Sequence, residues 1–204
     1  GSVATPEGGI AADVVGVTTV AELALLPDSV VRGKIVYFGN RMQRSRSVAS
    51  YGTAVAVRSR GAGEASKRGA LAVMIRSIGT DRDRVGHTGG MRFEKTETPI
   101  PAFALSNPDA DLLERQLASG QPVRVKLRDD SRWADSTMSA NVVGEIPGRD
   151  PRGEVVVLGA HLDSWDLGQG AHDDGAGVAI MTAAARLVGQ GTLRPKRTIR
   201  VVLF

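Results

Sequence analysis

Three short apolar runs limit the possible folds more than any other feature: GKIVYFG (33–39), LAVMIRS (71–77) and IPAFALS (100–106). Each is bounded by glycine, proline or serine, is short for a helix, and reads as a buried strand. Helix signals lie between them. VTTVAELALL (17–26) carries a capping box, Thr19 with Glu22, and runs into Pro27. GAGEASKRGA (61–70) reads as a short helix closing at Gly69. NPDADLLERQLASG (107–120) has Asn107 as its N-cap, Pro108 in the first turn, acids near the start and Gly120 at the stop. PVRVKL (122–127) alternates like a half-exposed strand. Strands alternating with helices predict an α/β fold.

After the polar stretch RDDSRWADSTMS (128–139) the pattern changes. ANVVGEIPG (140–148) and EVVVLGAH (154–161) read as two strands that the turn-rich GRDPRG joins as a hairpin. GVAIMTAAARLVGQG (177–191) has helical spacing and closes on glycine, and RPKRTIRVVLF (194–204) is one more strand. The expectation is two domains, residues 1–133 and 134–204. The long glycine-rich loop 77–99 in the first has the length usually kept for function or mobility.

Composition narrows the chemistry. No cysteine occurs among the 204 residues, so disulfides and thiolate metal sites are excluded, and any metal here needs histidine and carboxylate ligands. No apolar run reaches the ~18 residues a membrane helix requires. The net charge of +4 comes largely from arginine, with RMQRSRS (41–47) and RSRGAGEASKR (58–68) as possible phosphate-binding surfaces. Aromatic residues are only 4%, and none interleaves with those arginines as a stacking platform would require. Solvated arginine faces are therefore expected, with no nucleic-acid and no membrane partner.

The segment GAHLDSWDLGQGAHDDGAGVA (159–179) concentrates charge between an apolar strand and a helix. His161 stands at the strand's end, where α/β sheets collect ligands, and alternation points Asp163 the same way. A metal-bound imidazole usually gives its other N–H to a carboxylate, a part Asp163 could play. Gly168 and Gly170 let the backbone turn so that Asp173 could return to the same metal. The spacing also allows Asp173 and Asp174 simply to cap the next helix and His161 to bond Asp163. Spacing alone leaves both readings open.

GAHLDSWDLGQGAHDDGAG with the downstream LRPKRTIRVVLF resembles the family of two-zinc exopeptidases that contains carboxypeptidase Q and the co-catalytic zinc aminopeptidases. ATPEGGI, RGKIV, EASKRGALAVMIRS and HTG resemble the protease-associated domain inserted in such enzymes. The resemblance implies a protease-associated β/α domain followed by the first part of a zinc-exopeptidase α/β domain, a mixed sheet flanked by helices. It implies His161 as a ligand of one zinc, Asp173 as the carboxylate bridging two zinc ions, and Asp163 as the catalytic acid behind His161. Asp174 would hold the loop's backbone, and His172 would be no ligand. His87, in the long loop, is either an ordinary exposed histidine or a residue that faces substrate. Implied too are cleavage of dipeptides or short unblocked peptides by water activated between the zincs, a homodimer, and a secreted or periplasmic location. The opening residues carry no signal-peptide pattern. The family's glutamate pair, further aspartate ligand and second histidine ligand belong beyond Phe204, so the chain is expected to hold only part of the site and to need the rest of the peptidase domain. The rival expectation is a non-catalytic protease-associated scaffold.

Overall fold

In a computed structural model, residues 2–47, 49–132, 134–150 and 152–204 are described. Trp133, in the polar stretch taken as a boundary, and Pro151, in the GRDPRG turn, lie outside them. The architecture is α/β, as the alternating runs require, and the chain divides into two compact units, Gly1–Ala134 and Asp135–Phe204.

The first unit contains β1 (Ile10–Val17), α1 (Val20–Leu25), α2 (Asp28–Val31), β2 (Ile35–Phe38), α3 (Ala49–Lys67), β3 (Ala72–Arg76), β4 (Ala102–Leu105), α4 (Asn107–Ala118) and β5 (Arg124–Leu127). Its sheet runs in the order β4-β3-β2-β1-β5. The first four strands are mutually parallel, and β5 closes the edge antiparallel to β1. The middle strands read as unbroken apolar runs because both faces are covered. Val36 and Phe38 face one cluster with Leu23, Val31, Val57, Ala62 and Ala65. Ile35 and Tyr37 face the other, with Met74, Ala110 and Leu113. α3 lies close to the sheet because its contact residues are small; a Cβ on Gly61 would come within 2.8 Å of the Phe38 ring.

Three details of this unit differ from the sequence expectation. β1 carries no signal strong enough to be read, because Asp13 interrupts its apolar pattern. That carboxylate is met by Lys34 Nζ at 2.5 Å and by Arg124 at 3.4 Å. The hydrogen bond from Lys34, ahead of the opposing effect of partial burial, holds its pKa below the ordinary value. α3 begins twelve residues before the expected start at Gly61, since burial of Ala54 and Val57 outweighs a mixed composition. Ser106, not Asn107, caps α4; its hydroxyl accepts the Asp109 N–H at 3.2 Å, and Asn107 becomes the first helical residue. Half of the capping box of α1 forms: Thr19 Oγ1 accepts the Glu22 N–H at 3.1 Å, while the Glu22 carboxylate accepts the N–H of Thr18 at 2.6 Å.

The second unit contains β6 (Val142–Ile146), β7 (Val155–Ala160), a wide turn at Ala171–Gly175, α5 (Ala176–Gly189) and β8 (Thr198–Leu203). The strand order is β6-β8-β7. β8 lies between the other two, antiparallel to β6 with Val143 opposite Val202, and parallel to β7 with Leu158 opposite Val201. The expected β6–β7 hairpin is thus corrected. The crossover through α5 returns the chain beside β7 in the parallel sense that a βαβ connection demands, and β8 takes the place between.

Candidate functional site

β8 fixes the carboxyl end of β7. Phe204 N–H donates to Ala160 O at 3.0 Å and Leu162 N–H to Phe204 O at 2.5 Å, so the ladder continues on both sides of His161. The imidazole therefore projects from a pinned backbone. From there the chain makes a wide excursion and comes back. Gly170 adopts φ +65°, and Gly175 N–H donates to Gly170 O at 2.8 Å, which closes the turn. Asp173 and Asp174, inside that turn, leave helical geometry and are joined by a cis peptide bond.

The return brings three predicted side chains together. His161 Nε2 lies 2.9 Å from Asp173 Oδ1, and Nδ1 lies 2.8 Å from Asp163 Oδ1. Each ring nitrogen thus has its own carboxylate. Partial desolvation acts to lower the His161 pKa, but the hydrogen bonds to Asp163 and then Asp173 outweigh it and hold the value above that of free histidine. The second carboxylate of the acidic pair turns elsewhere. Asp174 Oδ2 accepts the His161 backbone N–H at 3.1 Å, and Oδ1 accepts the Gly177 N–H, also at 3.1 Å.

Asp163 and Asp173 are largely exposed, and the imidazole is about one-third exposed, so solvent and ligands reach the cluster. Among the described residues no three or more His, Cys, Asp or Glu side chains converge on one point. The chain presents a pair of convergent donors, His161 Nε2 and Asp173 Oδ1, with Asp163 on the far side of the ring. His172 is exposed, and among the described residues no hydrogen bond reaches its ring.

His87 belongs to the first unit. Its backbone N–H donates to the buried Ser77 hydroxyl at 2.8 Å, and Nε2 stands 3.4 Å from Asp81 Oδ1. The arginine-rich segments are partly committed to internal partners. Arg41 joins Asp111 and Glu114. Arg58 donates to the Tyr51 hydroxyl at 2.7 Å, and Arg68 to the carbonyls of Ala24 and Leu26 at the C-terminal end of α1. Sequence reasoning missed Arg76, a buried cation at the end of an apolar run, which binds Asp111 at 2.7 Å and Glu114 at 3.3 Å. It missed Gly177 as well. Both stand inside quoted runs, but their partners are set by tertiary packing and cannot be read from those runs.

A strand-end histidine thus faces a helix-mouth aspartate across a glycine-rich turn. Residues 141–204 match the model of peptidase family M28. Over 204 residues the chain is 39% identical to carboxypeptidase Q of Bos taurus, which covers all of this chain and 42% of that protein. The crystal structure of a peptidase M28 precursor from Shewanella amazonensis superimposes with a TM-score of 0.93 at 46% identity, over all of this chain and 46% of that one. A zinc aminopeptidase from Bacillus subtilis shares the fold alone, with a TM-score of 0.60 at 21% identity, over all of this chain and 43% of that one. The chain spans about two fifths of the length of the curated relatives it matches.

Proposed function

We propose that the whole protein is a zinc exopeptidase of the carboxypeptidase Q or aminopeptidase kind, hydrolysing short peptides that have a free terminus. The carrying observation is the 2.9 Å approach of His161 Nε2 to Asp173 Oδ1 across the turn. The donor chemistry fits zinc, which takes imidazole nitrogen and carboxylate oxygen readily. Two donors each about 2.1 Å from one tetrahedral ion stand about 3.4 Å apart, so the spacing in this chain needs only a small opening.

Asp163 fits the orienting role. A proton held on Nδ1 and shared with its carboxylate leaves the Nε2 lone pair free to bind metal, and makes that nitrogen more basic. Asp173 has a second carboxylate oxygen, which suits it to bridge two ions. Zinc, when bound, acidifies water and polarises the peptide carbonyl. A closed two-ion site needs more donors than these, and this reading draws the others, with the general base, from the rest of the whole protein.

The first unit is read as a protease-associated domain, with His87 contacting substrate. A homodimer and a secreted or periplasmic location are part of the same proposal. Among the described residues no helix is long and apolar enough to cross a membrane. The direct test measures zinc content and cleavage of unblocked dipeptides in the full-length protein. His161→Ala is expected to lose both together. Full zinc content and undiminished hydrolysis in that variant would overturn the assignment.

A further inference from the structure

We infer that Gly177 positions the two convergent donors through Asp174: the missing side chain at Gly177 admits a carboxylate that ties the backbone of His161 to the first turn of α5. The functional meaning of this tie rests on the zinc reading above, but its geometry does not.

One carboxylate spans two places sixteen residues apart in sequence. Its Oδ2 accepts the His161 N–H and its Oδ1 the Gly177 N–H, both at 3.1 Å. The Gly177 amide sits in the first turn of its helix, where no intrahelical acceptor exists, and where the helix dipole favours a negative group. His161 carries one convergent donor, and Asp173, the other, is the immediate neighbour of Asp174. Holding Asp174 therefore holds the backbone behind both donors. The two side chains that meet at 2.9 Å do so from a frame that this single carboxylate completes.

Gly177 makes the frame possible. A Cβ built there would lie 2.6 Å from both the carboxyl carbon and Oδ2 of Asp174, closer than side-chain carbons approach carboxylates. A methyl group at this position expels the carboxylate and releases the His161 amide with it. The usual preference runs the other way, since alanine is a better helix former than glycine. Substitution of Gly177 thus separates the helix from the tie: it should firm up the first and break the second.

The experiment compares wild type, Gly177→Ala, Asp174→Asn and Asp174→Ala in the full-length protein. Three quantities are followed: zinc affinity by competition with a chelator, exchange of the His161 amide hydrogen, and the melting temperature of the metal-free protein. Gly177→Ala is expected to weaken zinc binding about tenfold to a hundredfold, the range typical of partners that orient metal ligands. Its metal-free melting temperature should be unchanged or raised, and its His161 amide should exchange faster. Asp174→Asn keeps one acceptor oxygen and should fall between wild type and Asp174→Ala; it decides the matter if Gly177→Ala fails to fold. The double variant Gly177→Ala with Asp174→Ala should be no worse than Asp174→Ala alone, because both act through one carboxylate. Wild-type zinc affinity with a protected His161 amide in Gly177→Ala overturns the inference, as do additive losses in the double variant. If the wild-type protein takes up no zinc, the zinc reading fails by itself. Exchange at His161 then decides the tie: faster exchange in Gly177→Ala supports it, and unchanged exchange overturns it.

Discussion

The two units are built from similar words and finish differently. In the first, β2 and β3 are buried on both faces, and Phe38, Ile35 and Val36 are wholly shielded from solvent. In the second, Val143 on β6 and Val157 on β7 are 57% and 58% exposed, and Ile180 on α5 is 60% exposed. GKIVYFG and EVVVLGAH are equally apolar as sequence. An apolar run therefore records what a strand is able to bury, while the neighbours brought by the fold determine what it does bury. Within these 204 residues the buried clusters lie in the first unit, and the convergent donors lie in the second. Stability and chemistry should respond to mutation in different places.

The largest effect separates those places. Asp173→Ala should strip zinc from the full-length protein and lower dipeptide hydrolysis by more than the ~100-fold typical of changes behind a ligand, with little change in metal-free stability. Zinc analysis beside a melting curve checks both halves of that statement. Phe38→Ala should do the reverse, costing about 3–5 kcal/mol in denaturant unfolding while leaving the donor cluster intact. If its melting temperature hardly moves, the first unit is not where the core lies.

A pair of helix glycines sharpens the contrast. Gly61→Ala forces a methyl group against the Phe38 ring and should destabilise by about 1–3 kcal/mol, although alanine favours helix. Gly177→Ala should instead leave metal-free stability level or higher.

A smaller difference appears in acid. Arg76, ahead of the opposing effect of burial, holds the Asp111 pKa below the ordinary carboxylate value, with Arg41 adding to it. A group depressed in this way stabilises the fold above its unfolded pKa of about 3.9 and loses that contribution as pH falls through the lower folded value. Wild type should therefore weaken below about pH 4 more steeply than Asp111→Asn, as melting temperatures across pH 2–5 would show.

What could be read from the residues was what the residues hold locally. β2, β3 and β4 announce themselves as apolar runs, and α4 by its acids and its proline. β1 does not, because Asp13 becomes compatible with a sheet only through Lys34 and Arg124, which arrive from distant segments. The start of α3 is hidden by a composition that only packing makes helical. The supposed hairpin fails because the true partner of β6 lies more than fifty residues along the chain. At the site, the loop sequence drew attention to His161, Asp163 and Asp173, and the fold does bring those side chains together. Spacing could not choose between a cap and a ligand. Asp174 turning to the amides while Asp173 turns to the imidazole is a tertiary fact, and Gly177 is explained only once that turn is seen.

The middle place of β8 has a consequence for the order of events on the ribosome. β6 and β7 are not adjacent, so the second unit has no strand pair to form until residues near Thr198 have been made. The first unit, whose parallel strands are all complete by Leu105, can assemble while its successor is still a chain with nothing to pair with. A nascent polypeptide halted before Thr198 should thus show protease resistance in the first unit alone, and His161 would gain its fixed backbone only when β8 pairs with β7.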